Sequence, residues 1–202
     1  MAGCIAERGK SMKLKLSDIL ITIVIALVFG IIYKLWGPVY SLFKPFGLHV
    51  GDVIYGMWFI AGTVAMLLLR KPGVALLAET AAASGEFLVG SEYGLSVLLY
   101  GIVQGLGTEL MFALFGYKRY TAFVAALGGI AAAVGSLVMD AAYGYVMDLA
   151  LWNLLLLIGA RLVGGFLIAG LLAYLLVEAL EKTGVTSLIR PASDEDYKAL
   201  DQ

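Results

Sequence analysis

The sequence predicts an all-α integral membrane protein: a bundle of six transmembrane helices, with both ends of the chain on the cytoplasmic side. Three observations carry this expectation. Apolar residues make up 61% of the chain and charged residues 14%, with a mean hydropathy of +0.94, whereas an ordinary soluble domain carries about 25% charged residues. The apolar surplus is gathered into runs long enough to cross a bilayer, which takes roughly 20 mostly apolar residues per helix. The basic residues are also one-sided. Eleven of the 14 fall in segments that six alternating spans would place inside, where lysine and arginine favour cytoplasmic loops.

The spans are expected at 18–36, 52–70, 73–90, 95–116, 120–141 and 153–180. The first follows Arg8, Lys10, Lys13 and Lys15. It is too long for a signal-peptide core and has no small-x-small cleavage signal before Trp36, so it reads as a retained helix. "WGPVYSLFKPFGLHVGD" holds two prolines, several glycines and aromatics, and reads as an interfacial loop. "RKPG" at 70–73, "GSEYG" at 90–94 and "GYKRY" at 116–120 read as turns, since proline and glycine stop helices. A polar N-terminal tail (1–16) and C-terminal tail (183–202) flank a membrane domain over 17–182.

Several function classes are excluded. A net charge of −1 gives no basic field for nucleic acid. Cys4 is the single cysteine and His49 the single histidine, so neither a disulfide framework nor a Cys/His metal cluster is expected. No cofactor and no catalytic residue is expected. There is no G-x-x-x-x-G-K-[ST] phosphate loop, no H-E-x-x-H and no G-x-S-x-G. If the chain takes part in uphill transport, the energy comes from a partner or an ion gradient.

Small residues recur at helical spacing: Ala26 and Gly30, Gly101 and Gly105, then Gly164, Gly165, Ala169 and Gly170. Such residues let helices approach closely in lipid. For Ala26 and Gly30 two readings stand: packing within the bundle, or docking of another membrane protein.

Four ionisable residues lie well inside the spans: Glu79, Glu86, Glu109 and Arg161. A charge at mid-bilayer is costly, so each is a functional candidate. Glu79 and Glu86 are seven apart, hence about 20° from one another on one helix face, beside Ala82, Ala83 and Gly85. A narrow face with two carboxylates suits a cavity wall. Glu109 shares a stripe with Gly101 and Gly105, and either contacts a ligand or pairs with Arg161. Gln104 offers both a donor and an acceptor for a heteroaromatic edge. Tyr55 and Trp58, three apart, share a face that could stack a ring or hold a cation. Tyr93 and Trp152 read as interfacial belt residues.

"IYGMWFIAG", "RKPGVALLAE", "GEFLVG" and "YGIVQGLGTE" resemble the YkoE family of substrate-binding (S) components of energy-coupling-factor (ECF) vitamin transporters. The resemblance is strongest from Asp52 to Arg119 and continues through "SLVMD" and "ARLVGGFLIAGLLAYLL". It implies a six-helix fold in the cell membrane that binds thiamine or its hydroxymethylpyrimidine precursor. It further implies a transmembrane coupling subunit and paired cytosolic ATPases as partners, with Ala26 and Gly30 as the docking face. The residue reading agrees: Tyr55, Trp58, Glu86 and Gln104 are expected to line a cavity in the outer half, with Glu79 below. A carboxylate would accept from the exocyclic amine, Gln104 would complement a ring nitrogen, and a second carboxylate would offset the thiazolium. The alternative is a proton-coupled secondary transporter of an organic cation, working through Glu79, Glu86 or Glu109.

Overall fold

The structure, a computed structural model, describes residues 14–43, 49–184 and 186. The tails expected over 1–16 and 183–202 lie almost wholly outside these residues. The described chain is helical, with no strand. We number the helices α1 (Leu16–Phe43), α2 (Val50–Leu69), α3 (Val74–Leu88), α4 (Ser96–Leu114), α5 (Ala122–Ala142) and α6 (Leu151–Lys182). All but α3 are long and apolar enough to cross a membrane. α3 has 15 residues, about 22 Å of rise against a hydrocarbon core of roughly 30 Å.

The expected breaks fall where helices end, with one difference. α1 continues past Trp36 to Phe43, through Pro38, where a loop was expected. A proline usually pushes the residue before it out of helical geometry, because its ring meets that residue's Cβ. That residue is Gly37, which has no Cβ, so the helix continues. At "RKPG", Arg70 and Gly73 both take left-handed backbone, with φ of 52° and 86°. They close α2 and open α3.

α2 is the central helix. Every residue from Ile60 to Leu69 is buried, and α1, α3, α4, α5 and α6 wrap around it in that order. Lipid gives helices no hydrophobic reason to associate, so close packing must do it. A Cβ on Gly105 would lie 2.9 Å from the Glu79 Cβ and 3.0 Å from the Leu76 Cα, which joins α4 to α3. Gly165 and Gly170 meet the α5 backbone at Gly129 and Ala126.

Ala26 and Gly30 are turned inward. Ala26 is buried, and a Cβ on Gly30 would lie 3.1 Å from both Ala82 O and the Gly85 Cα. In this structure the face expected for docking is covered by α3 of the same chain. The face α1 leaves exposed is large and aliphatic, including Leu20, Val24, Leu27, Ile31 and Leu35.

Two helices are irregular where they meet. α2 contains a 3-10 segment, Tyr55–Phe59, and α6 a π-helical segment, Gly165–Leu172. A Cβ on Gly56 would lie 2.5 Å from the Gly164 carbonyl oxygen, so the backbones touch beside the site described next.

Candidate functional site

A cavity of about 570 Å³ opens at the end of the bundle where α1, α3 and α5 finish and α2, α4 and α6 begin. Small-molecule sites span roughly 300–1,000 Å³. α1 supplies Tyr33 and Tyr40, α2 Asp52, Tyr55 and Trp58, α3 Ala83 and Glu86, and the α3–α4 turn Glu92 and Tyr93. α4 adds Ser96, Val97, Tyr100 and Gln104, α5 Asp140, the following loop Tyr145 and Val146, and α6 Leu157 and Arg161.

The 3-10 segment of α2 points Tyr55 and Trp58 at one another, with ring centroids 5.2 Å apart. Tyr40 meets Trp58 edge to face at 5.2 Å, and Tyr93 meets it at 5.9 Å. Tyr93, expected as a belt residue, is therefore part of the cavity's aromatic wall. Burial pushes its phenol up to about 12, helped by the negative charges of Glu92 and Glu86, so it remains a donor. Tyr55 offers a ligand only part of its ring, because the Arg161 guanidinium lies over it at 3.6 Å.

Arg161 is 4% exposed and fully engaged. Its Nε and Nη2 donate to Asp52 Oδ1 at 3.1 and 2.5 Å, and Nη1 donates to Ser136 Oγ at 3.0 Å. Nη1 also pairs with Asp140 Oδ2 at 3.2 Å. Tyr100 donates to Asp140 Oδ1 at 2.6 Å. The remaining Asp52 oxygen meets His49 Nδ1 at 2.8 Å, and His49 Nε2 meets Asn153 Oδ1 at 2.6 Å. Burial works against a charged His49. The bonds to Asn153 and Asp52 and the Asp52 charge outweigh it, and its pKa is raised. The pairing of Arg161 with Glu109 is thus overturned: its partners are Asp52 and Asp140. Asp52 stands in the first turn of α2, at the end of the segment expected as an interfacial loop, and Asp140 stands in the last turn of α5.

Of the six expected ligand residues, Tyr55, Trp58, Glu86 and Gln104 line this cavity and Glu79 and Glu109 do not. Glu79 lies behind Tyr33, whose hydroxyl donates to both carboxyl oxygens at 2.9 and 3.1 Å. The Gly62 N–H donates to Glu79 Oε2 at 2.8 Å, and the Ala61 N–H to the Tyr33 hydroxyl at 3.0 Å. These N–H groups are freed where α2 restarts after its 3-10 turn. A helix start leaves such donors without intrahelical partners, and a carboxylate suits its positive end. Glu109 does the same for α3 at the opposite end of the bundle. It accepts from the N–H groups of Gly73 (2.6 Å), Ala75 (3.0 Å) and Leu76 (3.4 Å), and from the Tyr117 hydroxyl (2.9 Å).

Glu86 and Gln104 are different. Glu86 is 3% exposed, and the hydroxyl of Ser91 donates to its Oε1 at 3.0 Å. The Trp58 indole N–H is within electrostatic reach of that carboxyl but closes no hydrogen bond. Gln104 is 2% exposed, lines the cavity, and its amide bonds to no described residue. That amide is open to the cavity, and the buried Trp58 indole N–H in the same wall has no partner among the described residues, which is expensive. A wall with rings, a spare carboxylate oxygen and an unspent amide can receive a flat, amine-bearing heteroaromatic.

Comparison with known proteins points the same way. Residues 17–135 match the family described as "ABC-type cobalt transport system, permease component". A relative from Bacillus subtilis (strain 168), "Putative HMP/thiamine permease protein YkoE", is 37% identical over 175 residues, covering 85% of this chain and 86% of the relative. A solved structure, "Crystal structure of an S-component of ECF transporter", superposes with a TM-score of 0.86 at 34% identity, covering 94% of this chain and 96% of that one.

Proposed function

The chain belongs to the YkoE family of ECF-transporter S components, and from that premise we propose that its cavity captures thiamine or hydroxymethylpyrimidine. It is the substrate-binding component of a vitamin uptake system, a multi-pass protein of the cell membrane and not an enzyme. The observation that carries the ligand reading is Gln104. Its side chain is 2% exposed and its amide, bonded to no described residue, faces the cavity one helix away from Glu86. Gln104 donates and accepts along the pyrimidine edge, Glu86 accepts from the exocyclic amine, and Trp58 and Tyr93 flank the rings.

Six spanning helices with both ends inside agree with the charge pattern. Lys71 pairs with Asp18 and Arg70 with Glu181 at the end opposite the cavity, and the "GYKRY" turn lies at that end too. Basic residues mark the cytoplasmic face, so the cavity opens outward. The chain carries no phosphate loop. A transmembrane coupling subunit and cytosolic ATPases drive transport. Of the three carboxylates the proton-coupled alternative would use, Glu79 and Glu109 stand outside the cavity and accept from backbone N–H groups. Cobalt, named in the family description, would want a cluster of acidic, His or Cys ligands. No group of three exists among the described residues.

The test is calorimetric titration of Gln104→Ala and Glu86→Ala in detergent. Each is expected to lose at least about tenfold in affinity, roughly 1.4 kcal/mol. Titration curves that match the unaltered protein for both variants would sink the assignment. Co²⁺ serves as the control titrant.

A further inference from the structure

One carboxylate at the cavity mouth has no part in the reading above. Glu92 stands in the turn between α3 and α4 and lines the cavity, exposed to solvent on its other side. No described residue forms a hydrogen bond or ion pair with it. Its carboxyl group lies across α1 at Gly37, with Oε1 3.7 Å from where a Cβ on that glycine would stand. The side chain is therefore seated against a helix rather than extended into solvent.

Its surroundings are those a cation seeks. Tyr40, Trp58 and Tyr93 form a three-ring wall with centroid separations of 5.2 and 5.9 Å, while Glu86, the other carboxylate not tied to Arg161, is taken up by the pyrimidine's exocyclic amine. Ring faces and carboxylates both attract positive charge. The cavity's other two carboxylates, Asp52 and Asp140, are committed to Arg161. The nearby Lys34 Nζ donates to the Gly90 carbonyl oxygen at 2.5 Å and keeps its positive charge, which acts on Glu86, but it forms no ion pair with Glu92. Glu92 therefore leaves acidic charge at the mouth that no described residue pairs with, while Gln104 presents a neutral amide. The buried, unpartnered Gln104 marks the same cavity as a ligand site independently of these acids.

We propose that Glu92 is a specificity-determining residue: it holds a cationic ring at the cavity mouth against Tyr40, Trp58 and Tyr93. It thereby favours a thiazolium-bearing ligand over its neutral pyrimidine fragment. This rests on the vitamin reading of the same cavity. The fragment fills only the buried end, beside Gln104 and Glu86, and has no positive charge for the mouth to hold.

The experiment titrates the full chain and its Glu92→Gln and Glu92→Lys variants with thiamine and with hydroxymethylpyrimidine, at low and high salt. Glu92→Gln is expected to weaken thiamine about five- to tenfold and Glu92→Lys more. Pyrimidine affinity stays within about twofold in both variants, because it meets no mouth charge. High salt is expected to shrink the thiamine preference of the unaltered chain, since the mouth faces solvent. Equal losses for both ligands, or unchanged thiamine binding in both variants, would overturn the proposal while leaving the vitamin reading standing. An unaltered chain that binds neither ligand would overturn both. Glu92 sits in an exposed turn, and a monodisperse elution profile verifies that each variant is folded.

Discussion

Arg161 is the residue on which the cavity's geometry turns. Its one guanidinium ties α6 to Asp52 of α2 and to Ser136 and Asp140 of α5, and covers a face of Tyr55. Removing one partner of a buried ion pair leaves the other charge uncompensated, at a cost of about 3–5 kcal/mol. Arg161→Ala is therefore expected to lower the thermal unfolding midpoint sharply in detergent. A midpoint within a degree or so of the unaltered protein would contradict the cluster. His49 carries a pH signature. Its ordinary value is 6.5 and the folded value is higher. Its contribution to stability is therefore fully present below about pH 6.5 and lost as pH rises through the folded value. The midpoint difference between the unaltered chain and His49→Ala is expected to be largest below about pH 6.5 and to shrink as pH rises above it. A difference that grows with pH would contradict it.

At the scale of helices, glycine contacts hold the bundle. A side chain at Gly129 has no room, because the Gly165 carbonyl oxygen occupies its place, whereas Gly159 faces open space. Gly129→Val is expected to prevent recovery of a monodisperse protein. Gly159→Ala is expected to change stability by no more than about 1 kcal/mol, as an exposed helical glycine should. Similar behaviour of the two would refute the packing account. Much at this scale was legible in sequence. The greasy runs and the glycine turns located the helices, and Gly101 and Gly105 announced a close helix contact, which the fold places between α3 and α4. Two things were not legible. α1 runs on to Phe43 because Gly37 relieves Pro38, a local exception to a sound rule. Ala26 and Gly30 turn inward because small-residue spacing reports a close contact without saying with what. Glu109 shows the same gap: hydropathy marks a carboxylate as out of place, but only the fold reveals the helix start whose N–H groups it serves. The signal available for Asp52 was Arg161 itself, a lone cation within the spans that had to find an anion.

For the whole molecule, the fold separates two ends by chemistry. One gathers basic turns and the α3 start capped by Glu109. The other gathers aromatics, four lining carboxylates and Gln104 around a cavity. That polarity is what a capture protein needs when ligand arrives on one side and ATP is spent on the other. Ligand that binds only the folded chain stabilises it by about 2.7 kcal/mol at a hundred times Kd. The account's central claim is that this cavity binds a vitamin without any partner. The most direct measurement is calorimetric titration of the purified, ligand-stripped chain in detergent with thiamine and with hydroxymethylpyrimidine. The account predicts saturable, submicromolar binding of at least one, with a matching rise in the unfolding midpoint. A folded, monodisperse chain that binds neither would contradict it.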